Sequence, residues 1–167
     1  MKQRFEQDFL SLLENHKGII YKVTYAYAKT PIDRQDLFQE ITVSLWKAYP
    51  SFKGNSKVST WIYKVALYTA ITNYRRAKKQ IKHDQFPPYY HEKVADPFKN
   101  DPVEEVKFLY EAIERLSSVD KAIILLLLEE NSYKDIGQII GLKPAIIGMR
   151  IKRAKEKLTS LLTNIKP

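Results

Sequence analysis

Residues 132–158 read SYKDIGQIIGLKPAIIGMRIKRAKEKL. Ser132 and Asp135 stand at capping-box spacing, which predicts a short helix through Ile136, Gly137, Ile139 and Ile140 that ends at Gly141. Pro144 suits the first turn of a second helix. In that helix Ile147, Ile151, Ala154, Leu158 and Leu161 form one apolar stripe, while Lys143, Arg150, Lys152, Arg153, Lys155 and Lys157 are answered only by Glu156. A helix–turn–helix of this kind can seat its stripe on preceding helices and lay its cationic side along a major groove. The bland alternative is a solvated basic face on an ordinary helical hairpin. Gly137 either permits close helix approach or is a mere defect in helix propensity.

Upstream, helical periodicity begins at Val103, with Val106, Leu109, Ile113 and Leu116 on one side. SSVDKAIILLLLEEN (117–131) then offers Ser117 as a cap, Asp120 three residues on, and an apolar segment to Leu128. IILLLL alone would also suit a buried strand; its length and its cap decide for helix. Residues 83–102 hold four prolines, mixed charge and no consistent period, which reads as a flexible interdomain linker.

The first half is helical as well. DRQDLFQEITVSLWKAYPSF (33–52) has Asp33 as expected N-cap, Asp36 in the first turn and Leu37, Ile41, Leu45 and Ala48 in register, stopping near Pro50. VSTWIYKVALYTAITNYRRAKKQ (58–80) places Val58, Trp61, Ile62, Val65, Thr69, Ala70 and Asn73 on helical spacing. Phe5 to Ala28 supplies one or two further helices, with an interruption expected near Gly18. The fold expected is all-α: an N-terminal helical bundle over residues 1–82, a linker over 83–102, and a C-terminal four-helix domain containing the helix–turn–helix over 103–167.

Composition narrows the function. The 167 residues carry 28 Lys+Arg against 19 Asp+Glu, a net charge of +9, so a polyanionic partner is expected, nucleic acid before an acidic membrane surface. No apolar run reaches the roughly 18 residues that span a bilayer, and MKQRFEQDFLSLLENH at the start has acids where a secretion signal would be apolar. A cytoplasmic location is expected. The absence of cysteine excludes disulfides, thiolate zinc sites and a cysteine nucleophile, and His16, His83 and His91 share no ligand-like spacing. No convergent acid/base or nucleophile set is visible, nor a phosphate-binding loop. The expectation is a protein that is not an enzyme and takes no metal, cofactor or small-molecule substrate.

Three segments in this order carry a resemblance to a family: DLFQEITVSLWKAY (36–49), STWIYKVALYTAITNYRR (59–76) and LSSVDKAIILLLLEENSYKDIGQIIGLKPAIIGMRIKRAKEKL (116–158). The chain resembles an extracytoplasmic-function (ECF) sigma factor, a compact specificity subunit of bacterial RNA polymerase. The segments look like the family's regions two and four.

That resemblance implies roles for residues. The first segment would dock on the coiled coil of the polymerase beta-prime subunit through Asp36, Leu37, Gln39, Glu40, Ile41 and Trp46; a carboxylate and amide cluster beside apolar anchors is chemically suited to this. From the residues alone, Trp46 could equally belong to the protein's own core, and a metal site at Asp36 and Glu40 lacks a third ligand. The loop FKGNSK (52–57) and the helix after it would read the minus-ten promoter element as single strand, with Lys53, Asn55, Ser56 and Lys57 as polar groups and Phe52 and Trp61 as walls. Trp61 also suits a core position. Arg75 and Arg76, followed by Lys78, Lys79 and Lys82, suit phosphate contacts, or merely solubilise a helix end.

The chain departs from the family in having Tyr68 and Thr72 where Asn and Asp are usual; Tyr68 could stack on a base. In the second domain Lys143 to Lys157 would read the minus-thirty-five element in duplex form. Arg150 and Arg153 match the family's arginines and would contact phosphates or a guanine edge. Lys143, Ala145, Ile146 and Met149 replace more polar family residues, and apolar contact with thymine methyls is consistent with that exchange. Core polymerase and promoter DNA are the implied partners, and an anti-sigma protein is suggested by the resemblance without any residue to identify one. A repressor or activator acting without polymerase is the rival from another class.

Overall fold

The computed structural model describes residues 1–81 and 104–165, and these fall into two compact all-helical units. The expected linker, Lys82, His83 and His91 lie outside the described residues.

The first unit consists of α1 (Lys2–Tyr27), α2 (Pro31–Ala48) and α3 (Val58–Ile81), with a 3₁₀ turn at Tyr49–Ser51 between the last two. The three helices pack on one another around Phe9, Ile20, Val23, Leu37, Ile41, Leu45, Ile62, Ala66, Leu67 and Ala70. Burying a branched aliphatic side chain contributes about 1.5–3 kcal/mol, so this shared interior is what fixes the bundle. α1 runs without the interruption expected at Gly18. That glycine costs about 1 kcal/mol in propensity, and the buried Phe9 on one side and Ile20 and Val23 on the other outweigh it.

The start of α2 also differs from expectation, while its end lies near Pro50 as expected. The cap of α2 is Thr30 and not Asp33: the Thr30 hydroxyl oxygen accepts from the Asp33 backbone N–H at 3.1 Å and donates to the Asp33 carboxylate at 2.7 Å. Pro31, which lacks an N–H, takes the first helical position where none is needed. At the other end the chain tightens through Pro50 into the 3₁₀ turn, where Phe52 N–H donates to the Tyr49 carbonyl, before leaving the helix axis. Arg34 then locks the α1–α2 corner by donating to the Ala28 and Lys29 carbonyls while its guanidinium lies 4.0 Å from the Tyr25 ring centre.

The second unit is built from α4 (Glu104–Glu114), α5 (Ser118–Leu128), α6 (Tyr133–Ile140) and α7 (Pro144–Ile165). IILLLL is helical. Ser117 caps it by accepting from Asp120 N–H at 3.2 Å, and α4, α6 and α7 all pack against it, so Ala122 to Leu126 are buried without a break. A helix enclosed on all sides needs no polar face. On α4 the interior positions are Ala112 and Ile113, followed by Leu116, whereas Val106 is exposed, contrary to the expected stripe. Ser132 caps α6 and Gly141 ends it in the left-handed region at φ 85°, both as the sequence predicts. Ile147, Ile151, Ala154 and Leu158 are the buried stripe of α7.

Candidate functional site

In the first unit, α3 turns its apolar positions Ile62, Ala66, Leu67 and Ala70 inward. Helical geometry therefore sends Trp61, Lys64, Tyr68, Thr72, Arg75 and Lys79, spaced by three or four residues, along the opposite side. Ring, cation and ring follow one another at Trp61, Lys64 and Tyr68, and after Thr72 the stripe continues with the cations Arg75 and Lys79. Tyr68 is 75% exposed, and Lys64, Arg75, Arg76, Lys78 and Lys79 are all exposed. Lys64 was not singled out in the sequence, although its spacing from Trp61 and Tyr68 carries the signal.

At the head of the stripe, Phe52 stacks on Trp61 with ring centres 4.7 Å apart and planes at 29°. Both rings are half-buried, so Trp61 combines core support with an accessible surface. Gly54, at φ 74°, turns the loop between them, where Lys53, Asn55, Ser56 and Lys57 are exposed. Polar loop groups thus surround an aromatic platform, the combination that holds unpaired bases.

The outer face of α2 carries Asp36, Gln39 and Glu40, all exposed, with Val43 and Trp46 further along. Trp46 is 38% exposed and sets an edge against Phe5 and Phe9, with centres 5.5 and 5.0 Å away. Leu37 and Ile41 are corrected: at 3% and 0% exposure they are core residues facing α1 and α3 and cannot anchor a partner. Each directly follows an exposed carboxylate, Asp36 or Glu40, and a step of one residue turns about 100° around the helix, here into the core. Among the described residues no group of three or more His, Asp or Glu side chains could hold a metal ion.

In the second unit the exposed side of α7 presents Ala145, Ile146, Met149, Lys152, Arg153 and Lys155, with exposed Lys143 just before its first turn. Met149 is 58% exposed and Ile146 41%, an apolar centre flanked by cations. Two basic residues have intramolecular partners that the sequence reading missed. Arg150 Nη1 donates to the Asp120 carboxylate at 2.8 Å, and Lys157 Nζ donates to the Arg115 carbonyl at 3.1 Å at the end of α4. Both contacts join segments at least 30 residues apart, beyond the reach of local spacing.

Sequence comparison bears on both surfaces. Residues 12–80 match the sigma-70 region 2 family and residues 109–158 the sigma-70 region 4 family. The chain is 24% identical to the RNA polymerase sigma factor SigV of Bacillus subtilis, over 97% of this chain and 95% of that protein. It is also 24% identical to the ECF RNA polymerase sigma factor SigW of the same organism, over 99% of this chain and 94% of that one. The chain belongs to the ECF sigma factors.

The sigma factor's fold is likewise that of a solved relative, the sigma factor RpoE in complex with the anti-sigma factor NepR from Bartonella quintana. The TM-score is 0.69 at 19% identity, with 98% of this chain and 99% of that chain covered. CnrH, solved with the cytosolic domain of CnrY, matches at a TM-score of 0.67, also at 19% identity, over 96% of this chain and 91% of that chain. Sigma factors are not enzymes; they bind core RNA polymerase and promoter DNA and direct promoter-specific transcription. No helix among the described residues is long and apolar enough to cross a membrane.

Proposed function

We propose that this sigma factor divides its work between its two units. Residues 1–82 bind core polymerase and read the minus-ten element as single strand; residues 103–167 read the minus-thirty-five element as duplex; residues 83–102 link them. The stripe of rings and cations at Trp61, Lys64, Tyr68 and Arg75, headed by the Phe52–Trp61 stack, is the observation that carries this reading. Duplex DNA hides its base faces, so exposed rings among cations favour an unpaired strand over a paired one. That preference stabilises melted DNA without nucleotide hydrolysis.

The polymerase contact is assigned to Asp36, Gln39, Glu40 and Trp46, the exposed members of the α2 face, with the beta-prime coiled coil as counterpart. On the second unit, Arg150 and Arg153 contact phosphates or a guanine edge, and Ala145, Ile146 and Met149 supply apolar contact to thymine methyls beside Lys143. Two modest DNA contacts, linked and held on one polymerase, gain effective concentration. The place of action is the cytoplasm, with polymerase. An anti-sigma protein is proposed as a further partner because one solved neighbour, RpoE, was captured with an anti-sigma factor.

Run-off transcription with purified core polymerase on a genomic library tests the whole assignment. The chain is expected to assemble with polymerase and start transcripts at a shared promoter pattern. Failure to associate with polymerase, combined with tight binding to palindromic duplex, would instead establish a repressor or activator.

A further inference from the structure

We propose that Asp120 is a positioning residue that orients Arg150 for base reading, an inference that rests on placing α7 on duplex DNA. Arg150 directly precedes the buried Ile151, so it leaves α7 at the edge of the apolar stripe. A free arginine there would sample many rotamers. Instead its Nη1 lies 2.8 Å from Asp120 Oδ1, with the two side chains 39% and 25% exposed.

The anchor is well held. Asp120 sits in the first turn of α5, its own N–H donates to the Ser117 hydroxyl, and the residues that follow, Lys121 to Leu126, are buried. Its N–H thus completes the cap while its carboxylate reaches across to α7. One N–H group of the guanidinium is engaged there, which leaves the others for a guanine edge or a phosphate. Guanine reading is directional and gains from a fixed guanidinium, whereas phosphate attraction needs only charge.

The carboxylate has a second, opposite effect. Its negative charge near the phosphate backbone weakens sequence-independent attraction. Asp120 therefore trades general affinity for discrimination. A merely structural ion pair would change folding stability and leave base preference alone.

The experiment uses the full chain on core polymerase. A preferred sequence is first selected from a randomised duplex library, and relative affinities are then measured for every single-base variant of it. Compared are the native chain, Arg150→Ala, Asp120→Asn, Asp120→Ser and the Asp120→Asn/Arg150→Ala pair; the serine variant keeps a good helix-start residue in case the amide disturbs α5. Arg150→Ala is expected to erase preference at one base pair. Each Asp120 variant is expected to lower preference at that same base pair by about two- to fivefold, with non-specific affinity unchanged or raised. Asp120→Asn should add nothing once Arg150 is gone. Undiminished preference in both Asp120 variants, or an equal loss in the Arg150→Ala background, overturns the positioning role alone. If Arg150→Ala alters neither preference nor affinity, the placement of α7 on DNA falls, and this inference with it.

Discussion

The carbonyl oxygen of Leu142 occupies the place where a side chain on Gly137 would begin: a Cβ built there would lie 2.5 Å from it. The Gly137 carbonyl in turn accepts from the N–H groups of Gly141 at 2.8 Å and Leu142 at 3.0 Å. The turn of the helix–turn–helix is thus folded directly onto this residue. Gly137→Ala gains about 1 kcal/mol of helix propensity but forces backbone to move, at a cost of about 1–3 kcal/mol. The expected net result is a destabilised second unit, seen as faster hydrogen exchange in α6 and α7. A raised stability would show that the turn yields freely.

For the polymerase face, Asp36→Lys combined with Glu40→Lys is expected to abolish association with core polymerase. Both positions are exposed on α2, so the melting temperature should stay within a few degrees of the native value. Retained transcription by the folded double variant would remove the assignment of this face.

Phe52→Ala should weaken binding of unpaired promoter strand by about 1–3 kcal/mol, the usual worth of a base-stacking ring. Duplex affinity through the second unit should not change. Fluorescence anisotropy with single-stranded and double-stranded probes separates the two. Equal losses on both would deny the platform a strand-specific role.

Salt dependence distinguishes among the cations of α7. Lys152 is exposed, whereas Lys157 is tied to the Arg115 carbonyl. Lys152→Gln is expected to reduce the logarithmic salt slope of duplex binding by about 0.9, the contribution of one phosphate contact. Lys157→Gln should leave that slope unchanged and slightly destabilise the end of α4. An identical slope change for the two would mean that both reach phosphates.

How much the sequence disclosed depended on the range of the interaction responsible. Ser117, Ser132 and Gly141 act within a few residues of themselves, so their spacing announced the helix ends correctly. Thr30 acts just as locally: Thr-Pro is itself a helix-start pattern, and it places Asp33 inside the first turn and not at the cap. The propensity penalty of Gly18 says nothing about the tertiary burial on either side of it, which keeps α1 continuous. The aromatic and cationic residues of α3 could be found by period alone, Lys64 included. What spacing could not reveal was side-chain partnership across elements, as in Arg150 with Asp120. Leu37 and Ile41 stand on the apolar register of α2 and are core in space; the family resemblance alone assigned them to a partner.

Tyr49 lies between two groups of rings, Phe5, Phe9 and Trp46 on one side and Trp61 with Phe52 on the other. Its ring centre is 4.9 Å from Phe5, 5.3 Å from Phe9 and 6.3 Å from Trp61, while Phe5 and Phe9 also support Trp46. If the proposed strand platform is correct, replacing Trp61 to retarget such a chain is expected to disturb, through this one tyrosine, the seat beneath Trp46. Laboratory libraries that diversify the front rings therefore need to vary Phe5, Phe9 and Tyr49 alongside them.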